Sequence, residues 1–341
     1  MKVGIFITSQ QHLERDMVSA LADQYAMVRL ARDRGWDTVF SGQHYLNEGN
    51  NKQFQLVPFL ARLQAEAGEM TLGLGVLLLN LHNPVLTAET VATLDVICRG
   101  NFVFGVGLGY REVEFDAFGV PRGQRVKRFE EGLALVKRLW SEESVSFESD
   151  YCRLDGVRMN IRPVQKPHPP IWIAANNENA VRRAARLGDA WFINPHSTTE
   201  TVAGLLEAYR AERRAAGLPA PAEVPCIKEI FCAKDRATAV AMAGPYLAGK
   251  YQDYAKWGQD KVMPGRDNFA QPFEALLADR FVLGSPEECY AQLRPYWEKL
   301  GVTQFVFRTH WAGMPLSTAL ASMRLISEEL LPALRAVRAV A

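Results

Sequence analysis

Short apolar runs alternate with amphipathic segments along almost the whole chain. The runs are continuous, as in strands that a parallel sheet buries on both faces. Between them, apolar residues recur at spacings of three and four, which is typical of one face of a helix. Strands are predicted at residues 3–7, 38–41, 71–79, 102–106, 171–174, 190–193, 224–232 and 303–307. Helices are predicted at about 18–34, 58–67, 84–97, 126–140, 179–187, 200–216, 285–300 and 317–337.

Two helix starts carry specific signals. Asn83 is followed by Pro84, which suits a helix start because Asn accepts from the first free N–H groups and Pro has no N–H of its own. Ser285 has Glu288 three residues on, the pattern of a capping box. These signals support the assignment of the segments between strands as helices.

Eight strands separated by helices favour a barrel. Parallel strands need crossover connections, and eight such units close into a (β/α)8 or TIM barrel. Two stretches interrupt the alternation, and we interpret them as insertions at about 144–169 and 257–280. The alternative is two smaller α/β domains divided near residue 150. The alternation without a linker or repeat favours one α/β barrel domain over residues 1–341.

Composition and charge exclude several classes of protein. The 341 residues include 39 Lys+Arg and 38 Asp+Glu, for a net charge of +1. No sustained basic stretch offers the charge that nucleic acid attracts. With 48% hydrophobic residues, the chain is too apolar for a disordered protein. We therefore expect a globular protein that does not bind nucleic acid.

The N-terminus and the cysteines indicate the compartment. The start MKVGIFITSQ lacks the long apolar core of a signal peptide, and the longest apolar run, residues 73–79, is too short to span a membrane. The five cysteines are an odd number without a C-x-x-C pair, which disfavours a disulfide framework or a zinc site. We expect a cytoplasmic protein with no membrane partner and no metal.

Candidate chemistry lies where strands end, because barrel enzymes build their sites there. His44 directly follows the second strand. It could act as a general acid or base or donate to an oxygen species, or simply be satisfied by backbone partners. Gly105, Gly107 and Gly109 follow the fourth strand but lack the spacing of a dinucleotide fingerprint. They indicate a backbone that a flat molecule approaches closely, or a tight turn.

The segment after the fifth strand opens a helix. It contains Ala175, Asn176, Asn177, Glu178, Asn179 and Ala180. The free N–H groups and the positive dipole end of a helix start can bind an anion without Lys or Arg. The alternative is ordinary N-capping by Asn176 or Asn177.

The chain resembles the bacterial luciferase-like superfamily of flavin-dependent monooxygenases. The matching stretches run in family order over most of the chain, and the block from residue 72 to 120 is the most specific. They are GWDTVFSGQHY (35–45), LGLGVLLLNLHNPVLTAETVATLDVICRGNFVFGVGLGYREVEFDAFGV (72–120), RFEEGLALVKRLW (128–140), KPHPPIWIAANNENAVRRAARLGDAW (166–191) and VLGSPEECYAQL (282–293).

This resemblance implies a barrel that binds reduced FMN at its C-terminal face. His44 matches the active-site histidine, and residues 75–77 match a bulge with an unusual peptide bond under the flavin ring. Leu108 stands where some members place an arginine that reaches the phosphate, and Gln43 stands where an acid often precedes the histidine. The expected cofactor-binding residues are Gly75, Val76, Leu77, Leu108, Tyr110, Arg111, Ala175, Asn176, Asn177, Glu178, Asn179 and Ala180.

The resemblance also implies a reaction. Reduced FMN and O₂ form a flavin hydroperoxide that oxygenates an organic substrate, with the reduced flavin supplied by a separate reductase, and the family expectation is a homodimer. Pocket residues suggest a small hydrophobic or aromatic substrate: Tyr45, Tyr110, Phe115, His196, His310 and Trp311. The alternatives are a deazaflavin-dependent hydride-transfer enzyme, whose usual sequence after the second strand is not seen in His44-Tyr45-Leu46-Asn47, and a non-catalytic flavin-binding protein.

Overall fold

Parallel strands and helices alternate along the protein, as the sequence predicts. The structure is a computed structural model that describes residues 1–267, 269 and 271–337. The strands, numbered along the chain, are β1 (Lys2–Ile7), β2 (Gln10–His12), β3 (Thr38–Ser41), β4 (Asn51–Gln53), β5 (Thr71–Leu74), β6 (Leu77–Leu78), β7 (Phe102–Gly107), β8 (Val145–Ser149), β9 (Cys152–Val157), β10 (Ile171–Ala174), β11 (Ala190–Phe192), β12 (Pro225–Cys232), β13 (Phe281–Gly284) and β14 (Gln304–Arg308).

The eight predicted helical segments are all present, and α4, α8 and α9 are helices that the sequence pattern did not predict. Asn83 accepts from the amide of Val85, and Ser285 and Glu288 form the predicted capping box. The helices are α1 (Met17–Asp33), α2 (Leu56–Ala67), α3 (Pro84–Ile97), α4 (Glu112–Ala117), α5 (Arg125–Ser141), α6 (Glu178–Leu187), α7 (Thr199–Ala215), α8 (Arg236–Lys256), α9 (Phe273–Leu276), α10 (Pro286–Glu298), α11 (Leu316–Leu325) and α12 (Leu331–Ala336).

Eight strands form a closed ring in the order in which the chain supplies them. Parallel pairing runs from β11 through β10, β7, β5, β3, β1 and β14 to β12. The ring closes at Ile193, whose N–H donates to the Pro225 carbonyl at 3.0 Å and whose carbonyl accepts from the Ile227 N–H at 2.9 Å. The α/β barrel prediction is therefore confirmed.

Alternate residues of the barrel strands point inward and fill the barrel. The inner layer is apolar, with the Phe40 and Trp172 rings stacked at 5.2 Å between centroids. Its members are Phe6, Phe40, Val103, Trp172, Ala190, Phe192, Ile227 and Val306. This packed layer is the floor on which the next inward-facing residues, at the C-terminal ends of the strands, lie.

The prediction of one long strand over residues 71–79 is wrong. β5 ends at Leu74, the Gly75–Val76 peptide bond is cis, and only two residues resume the strand before a 3₁₀ turn at Leu79–Leu81. The amide of Gly75 still donates to the Ser41 carbonyl of β3 at 2.7 Å, so the break falls in the pairing with β7, which stops at Gly73 and resumes at Leu77. An apolar run shows burial but not a break in the hydrogen-bond ladder, so the sequence pattern missed this interruption.

Both predicted insertions interrupt the alternation. The first contains the antiparallel hairpin of β8 and β9. The second keeps its predicted bounds, because helix α8 ends at Lys256 and strand β13 begins at Phe281. β13 pairs with the C-terminal half of β12, from Glu229 to Cys232. The second insertion therefore covers the barrel rim next to β12.

Two further features concern the chain as a whole. Within the described residues, none of the helices combines the length and apolar character needed to cross a bilayer. All five cysteines are free and buried.

Candidate active site

A cavity of about 510 Å³ opens at the C-terminal ends of the barrel strands. Phe6, Phe192 and Ile227 of the inner layer form its floor. Its walls come from the segments that follow β1, β3, β7, β10 and β11. The volume lies within the range of small-molecule and cofactor pockets.

His44 lines this cavity and pairs with a buried carboxylate. Its Nδ1 lies 3.2 Å from Oε1 of Glu114, which has no exposed side-chain surface. The same oxygen accepts from the backbone N–H of Tyr45 at 2.8 Å. The carboxylate expected beside the histidine is absent at Gln43, and Glu114 of helix α4 supplies it instead. Sequence reasoning missed Glu114, although its place just after the fourth strand was a usable signal.

Gln43 connects two loops of the rim. Its Oε1 accepts from the Leu78 N–H at 3.1 Å, and its Nε2 donates to the Tyr45 hydroxyl at 2.8 Å. Burial raises the pKa of Tyr45 to about 12. Gln43 and Tyr45 therefore hold the segment that carries His44 in a neutral hydrogen-bond network.

The break after β5 forms one wall of the cavity. Gly75, Val76 and Leu78 line it, whereas Leu77 belongs to the hydrophobic core outside the barrel. The cis peptide bond lies where the resemblance implies an unusual one. Opposite, a Cβ on Gly107 would lie 2.8 Å from Cγ2 of Val76. Glycine at position 107 therefore lets the Val76 side chain pack against the end of β7, and both residues line the cavity.

The other two glycines after the fourth strand, Gly105 and Gly109, are required by the course of the backbone. A Cβ on Gly105 would lie 1.7 Å from the Leu74 carbonyl oxygen, so a side chain there would collide with the neighbouring strand. Gly109 has φ +74°, a conformation that favours glycine. The three glycines therefore combine close strand packing with a turn.

The start of helix α6 lines the cavity opposite β3. Ala175, Asn176, Asn177, Asn179 and Ala180 lie on its wall. Asn177 is also the N-cap, because its side chain accepts from the Ala180 N–H at 3.1 Å. The remaining first-turn amides have no intrahelical acceptor.

Glu178 is directed elsewhere. Its carboxylate pairs with Arg182 at 2.6 Å, and it does not line the cavity.

Two arginines that the sequence analysis did not select lie beside this helix start. Arg125, at the start of α5, and Arg183, on α6, both line the cavity. Arg183 donates to Glu130 at 2.9 Å, which holds its guanidinium in place. Arg183 lies four residues after Asn179, so the helical spacing could have revealed it.

Arg111 lies outside the cavity wall. Its guanidinium donates to the carbonyls of Tyr45 and Leu46 and lies 3.6 Å from Glu114. Leu108 and Tyr110 do line the cavity. Burial raises the pKa of Tyr110, and its hydroxyl has no hydrogen-bond partner among the described residues.

His196 is the one predicted substrate-pocket residue besides Tyr110 that lines the main cavity, within the described part of the chain. Its Nδ1 lies 3.1 Å from the Tyr251 hydroxyl, and it has edge contacts with Tyr254 and Phe269. Burial and then the positive charge of Lys250 hold its pKa well below the usual range. His196 is therefore a neutral imidazole.

The other predicted pocket residues lie elsewhere. Phe115 packs in a small apolar cluster with Leu78, next to Tyr45. His310 is buried with Nε2 3.0 Å from the Met314 carbonyl, and burial lowers its pKa. Trp311 lines a second, smaller cavity. Tyr45, Phe115, His310 and Trp311 are thus absent from the described wall of the main cavity.

The charges of the main cavity suit an anionic cofactor. Its described lining includes Arg125, Arg183 and Arg308 but no Asp or Glu. Within the described chain, no group of three or more His, Cys, Asp and Glu side chains is placed to hold a metal ion. With a helix start and two arginines lining one cavity, the residues fit the phosphate of a phosphorylated organic cofactor.

A (β/α)8 barrel with a cavity of this kind at the C-terminal ends of its strands has the architecture of a barrel enzyme. The chain belongs to the luciferase-like monooxygenase family, whose sequence model matches residues 1–304.

Several known proteins are similar to this chain. The monooxygenase RslO1 from Streptomyces bottropensis has a TM-score of 0.86 and 27% identity, covering 98% of this chain and 99% of its own. The oxygenating constituent of 3,6-diketocamphane monooxygenase from Pseudomonas putida, in complex with FMN, has a TM-score of 0.80 and 17% identity, covering 97% and 98%.

Sequence relatives include an F420 enzyme. The F420-dependent glucose-6-phosphate dehydrogenase of Amycolatopsis mediterranei is 26% identical over 99% of both chains. The chain covers a smaller share of the length of other relatives. It matches 59% of an uncharacterized Sinorhizobium fredii protein at 28% identity, over 60% of this chain. It also matches 43% of a phthiodiolone/phenolphthiodiolone dimycocerosates ketoreductase of Mycobacterium kansasii at 34% identity, over 46% of this chain.

Proposed function

We propose that this protein is an FMN-dependent monooxygenase of the two-component type, acting on a small hydrophobic or aromatic substrate. The observation that carries the proposal is one cavity with the His44–Glu114 pair at one wall and the α6 start with two arginines at another. The likeness to the monooxygenase RslO1, at 27% identity over nearly the whole chain, supports oxygenation as the reaction.

In this proposal the cofactor's phosphate lies at the start of α6. Arg125 and Arg183 supply positive charge, and the first-turn amides donate to phosphate oxygens. Gly75, Val76 and Gly107 would form the wall next to the flavin ring. Leu108, Tyr110 and Ala175 complete that wall.

Bound reduced FMN supplies the reaction with O₂, and the protein supplies positioning, a proton and the exclusion of water. His44 holds its Nδ1–H on Glu114, and the doubly protonated ring would donate its Nε2–H to the reacting oxygen. Tyr254 and Trp257 pack edge-on against the His44 ring at 6.4 and 5.6 Å. These rings keep water from the oxygen chemistry.

The proposal includes partners. A separate flavin reductase in the same cytoplasm supplies the reduced FMN. The protein forms a homodimer in which α3, with Leu86 62% exposed and Val96 48% exposed, faces a second copy. Light scattering tests this assembly: the Leu86→Glu variant is expected to be a monomer where the wild type is a dimer, and a wild-type monomer would contradict it.

Equilibrium titration tests the choice of cofactor. FMN, riboflavin and coenzyme F420 are each added to the protein, and binding is followed by flavin or deazaflavin fluorescence. The proposal predicts that FMN binds more tightly than riboflavin, because only FMN carries the phosphate, and more tightly than F420. Tighter binding of F420 would overturn it.

A second candidate is a deazaflavin-dependent hydride-transfer enzyme. The end-to-end match to the F420-dependent glucose-6-phosphate dehydrogenase favours it. The sequence His44-Tyr45-Leu46-Asn47 departs from the run usual in that branch, which favours FMN. The same titration decides between the two.

A further inference from the structure

A buried cluster of charges lies at the barrel rim next to the main cavity. Glu229 on β12 and Arg308 at the end of β14 face each other in register, with Nη1 of Arg308 3.8 Å from Oε1 of Glu229. Nζ of Lys250, on helix α8, donates to the same carboxylate oxygen. The side chains of Glu229, Lys250 and Arg308 are 0%, 7% and 10% exposed. These three residues form the Glu229 cluster.

The Glu229 cluster holds two cations and one carboxylate. The other carboxylate oxygen of Glu229 accepts from Nε1 of Trp311 at 2.5 Å, so both oxygens are engaged. Glu229 therefore has no free oxygen with which to satisfy Arg308 fully.

Groups on the surrounding elements do not neutralise the excess positive charge of the Glu229 cluster. The neighbouring titratable groups on β12, on α8, after β11 and before β13 are Lys228, Tyr251, Tyr254, His196 and Arg280. None of these is a carboxylate, and burial raises the pKa of Tyr251; Asp253 of α8, on the wall of the second cavity, is set against the further cations Lys228 and Arg280. The Glu229 cluster is thus electropositive, and burial of an unbalanced charge is costly.

Arg308 is where this excess charge is open to a ligand. Its Nε has no hydrogen-bond partner among the described residues, and its guanidinium lies over the Phe6 ring at 4.3 Å. Arg308 lines the main cavity and also a second cavity of about 240 Å³. The two cavities therefore meet at Arg308.

The second cavity combines aromatic side chains with polar and charged ones. Tyr246, Tyr254, Trp257 and Trp311 lie on its wall, together with Lys250. Its one described carboxylate, Asp253, already accepts from Asn51 at 2.6 Å. A cavity with four aromatic side chains on its wall and the cations Arg308 and Lys250 beside them matches an organic acid.

We propose that Arg308 and Lys250 bind the carboxylate of the organic substrate, whose apolar part lies in the second cavity, so that the substrate is a hydrophobic or aromatic acid. This inference rests on the proposed function, in which the α6 start and its two arginines take the phosphate of FMN. Arg308 is then left for the substrate. A bound carboxylate brings the cluster to two cations and two anions.

The protonation of Lys250 gives the site a pH dependence. Burial and the charge of Arg308 lower the pKa of Lys250 to about 7, although Glu229 acts in the opposite direction. An added carboxylate favours the charged amine, so binding takes up a proton near neutral pH. Affinity for acids falls as pH rises above about 7, whereas affinity for neutral analogues does not change.

The test compares acids with their neutral amides. Benzoate, phenylacetate and octanoate are titrated against benzamide, phenylacetamide and octanamide, with and without FMN, and quenching of the tryptophans beside the second cavity is followed. At least one acid is expected to bind about tenfold more tightly than its amide. If no acid binds more tightly than its amide, the inference is overturned. A separate FMN titration reports on the proposed function by itself.

Variants test which residue is responsible for the preference for acids over amides. Arg308→Gln leaves Lys250 paired with Glu229 and is expected to abolish the preference for acids, whereas Arg308→Lys keeps most of it. Arg183→Gln weakens FMN binding but keeps the preference. An unchanged preference in Arg308→Gln, or an effect of that variant on FMN affinity alone, overturns the assignment.

Proton uptake needs no variant and tests the inference in the wild-type protein. Calorimetry of the preferred acid in two buffers of different ionisation enthalpy should show uptake of part of a proton at neutral pH. Absence of uptake would contradict the role of Lys250.

Discussion

Nδ1 of His44 lies 3.2 Å from Oε1 of Glu114, a carboxylate with no exposed surface. The contact joins the loop after β3 to helix α4, 70 residues further along the chain. A buried carboxylate that accepts from Nδ1 fixes the tautomer of the imidazole and directs Nε2 towards the cavity. Glu114 is therefore a positioning residue for His44.

Replacing Glu114 with glutamine should lower kcat for oxygenation by about tenfold or more, because the amide no longer fixes the His44 tautomer. FMN affinity should be unchanged, since Glu114 does not line the cavity. The pH profile of kcat should shift as well, which a purely structural effect would not cause. Glu112→Gln, on the exposed face of the same helix, is the matched control. Equal losses in both variants would contradict the assignment.

Removing the imidazole should uncouple oxygen consumption from product formation. In His44→Ala, we expect more hydrogen peroxide and less oxygenated product per flavin oxidised, because no group donates to the reacting oxygen. Peroxide and product are measured in the same turnover. His168→Ala, on the far side from the strand ends, is the control. Full coupling in His44→Ala would argue against the role of His44.

The phosphate end of the cavity can be tested through two neighbouring arginines. Arg183 lines the cavity, whereas Arg182 pairs with Glu178 and Glu212 outside it. Arg183→Gln should raise the Kd for FMN by about tenfold, the cost of one charge-assisted hydrogen bond, and leave riboflavin binding unchanged. Arg182→Gln should leave both unchanged. A loss of riboflavin affinity in Arg183→Gln would show a structural defect instead.

Buried histidines should make the protein sensitive to acid. Burial lowers the pKa of His82 from 6.5 to about 4. Between these values the unfolded chain binds more protons, so the free energy of unfolding decreases as pH falls. Between pH 7.5 and 5 this residue should account for about 2 kcal/mol of the loss. His82→Gln should therefore show a smaller decrease in denaturant titrations at the two pH values, and an identical decrease would contradict this effect.

Most of the fold was accessible from sequence because each barrel strand is a continuous apolar run flanked by helical periodicity. The exceptions have local causes. The break at Gly75–Val76 lies inside such a run, where every residue is apolar whether or not the ladder continues. β13 is a four-residue strand between an irregular segment and a helix cap, too short for its pattern to stand out.

Site residues could be predicted from the sequence only where a single segment of the chain contains them. His44 and residues 175–180 lie next to strand ends and could be selected from their positions. Glu114 and Arg308 act through partners far away in sequence, Glu114 with His44 and Arg308 with Glu229. Those pairs depend on the register of strands and the placement of helices, which a single sequence pattern does not contain.

The most direct test of the central claim is rapid mixing of the protein and anaerobically reduced FMN with oxygenated buffer, followed by the absorbance of oxidised FMN. If the protein is an FMN monooxygenase, oxidised FMN returns much more slowly than from free reduced FMN, and peroxide appears only with that return. Return at the rate of free FMN despite tight binding would indicate a flavin-binding protein without oxygenase activity. No binding of reduced FMN, with binding of reduced F420, would contradict the account.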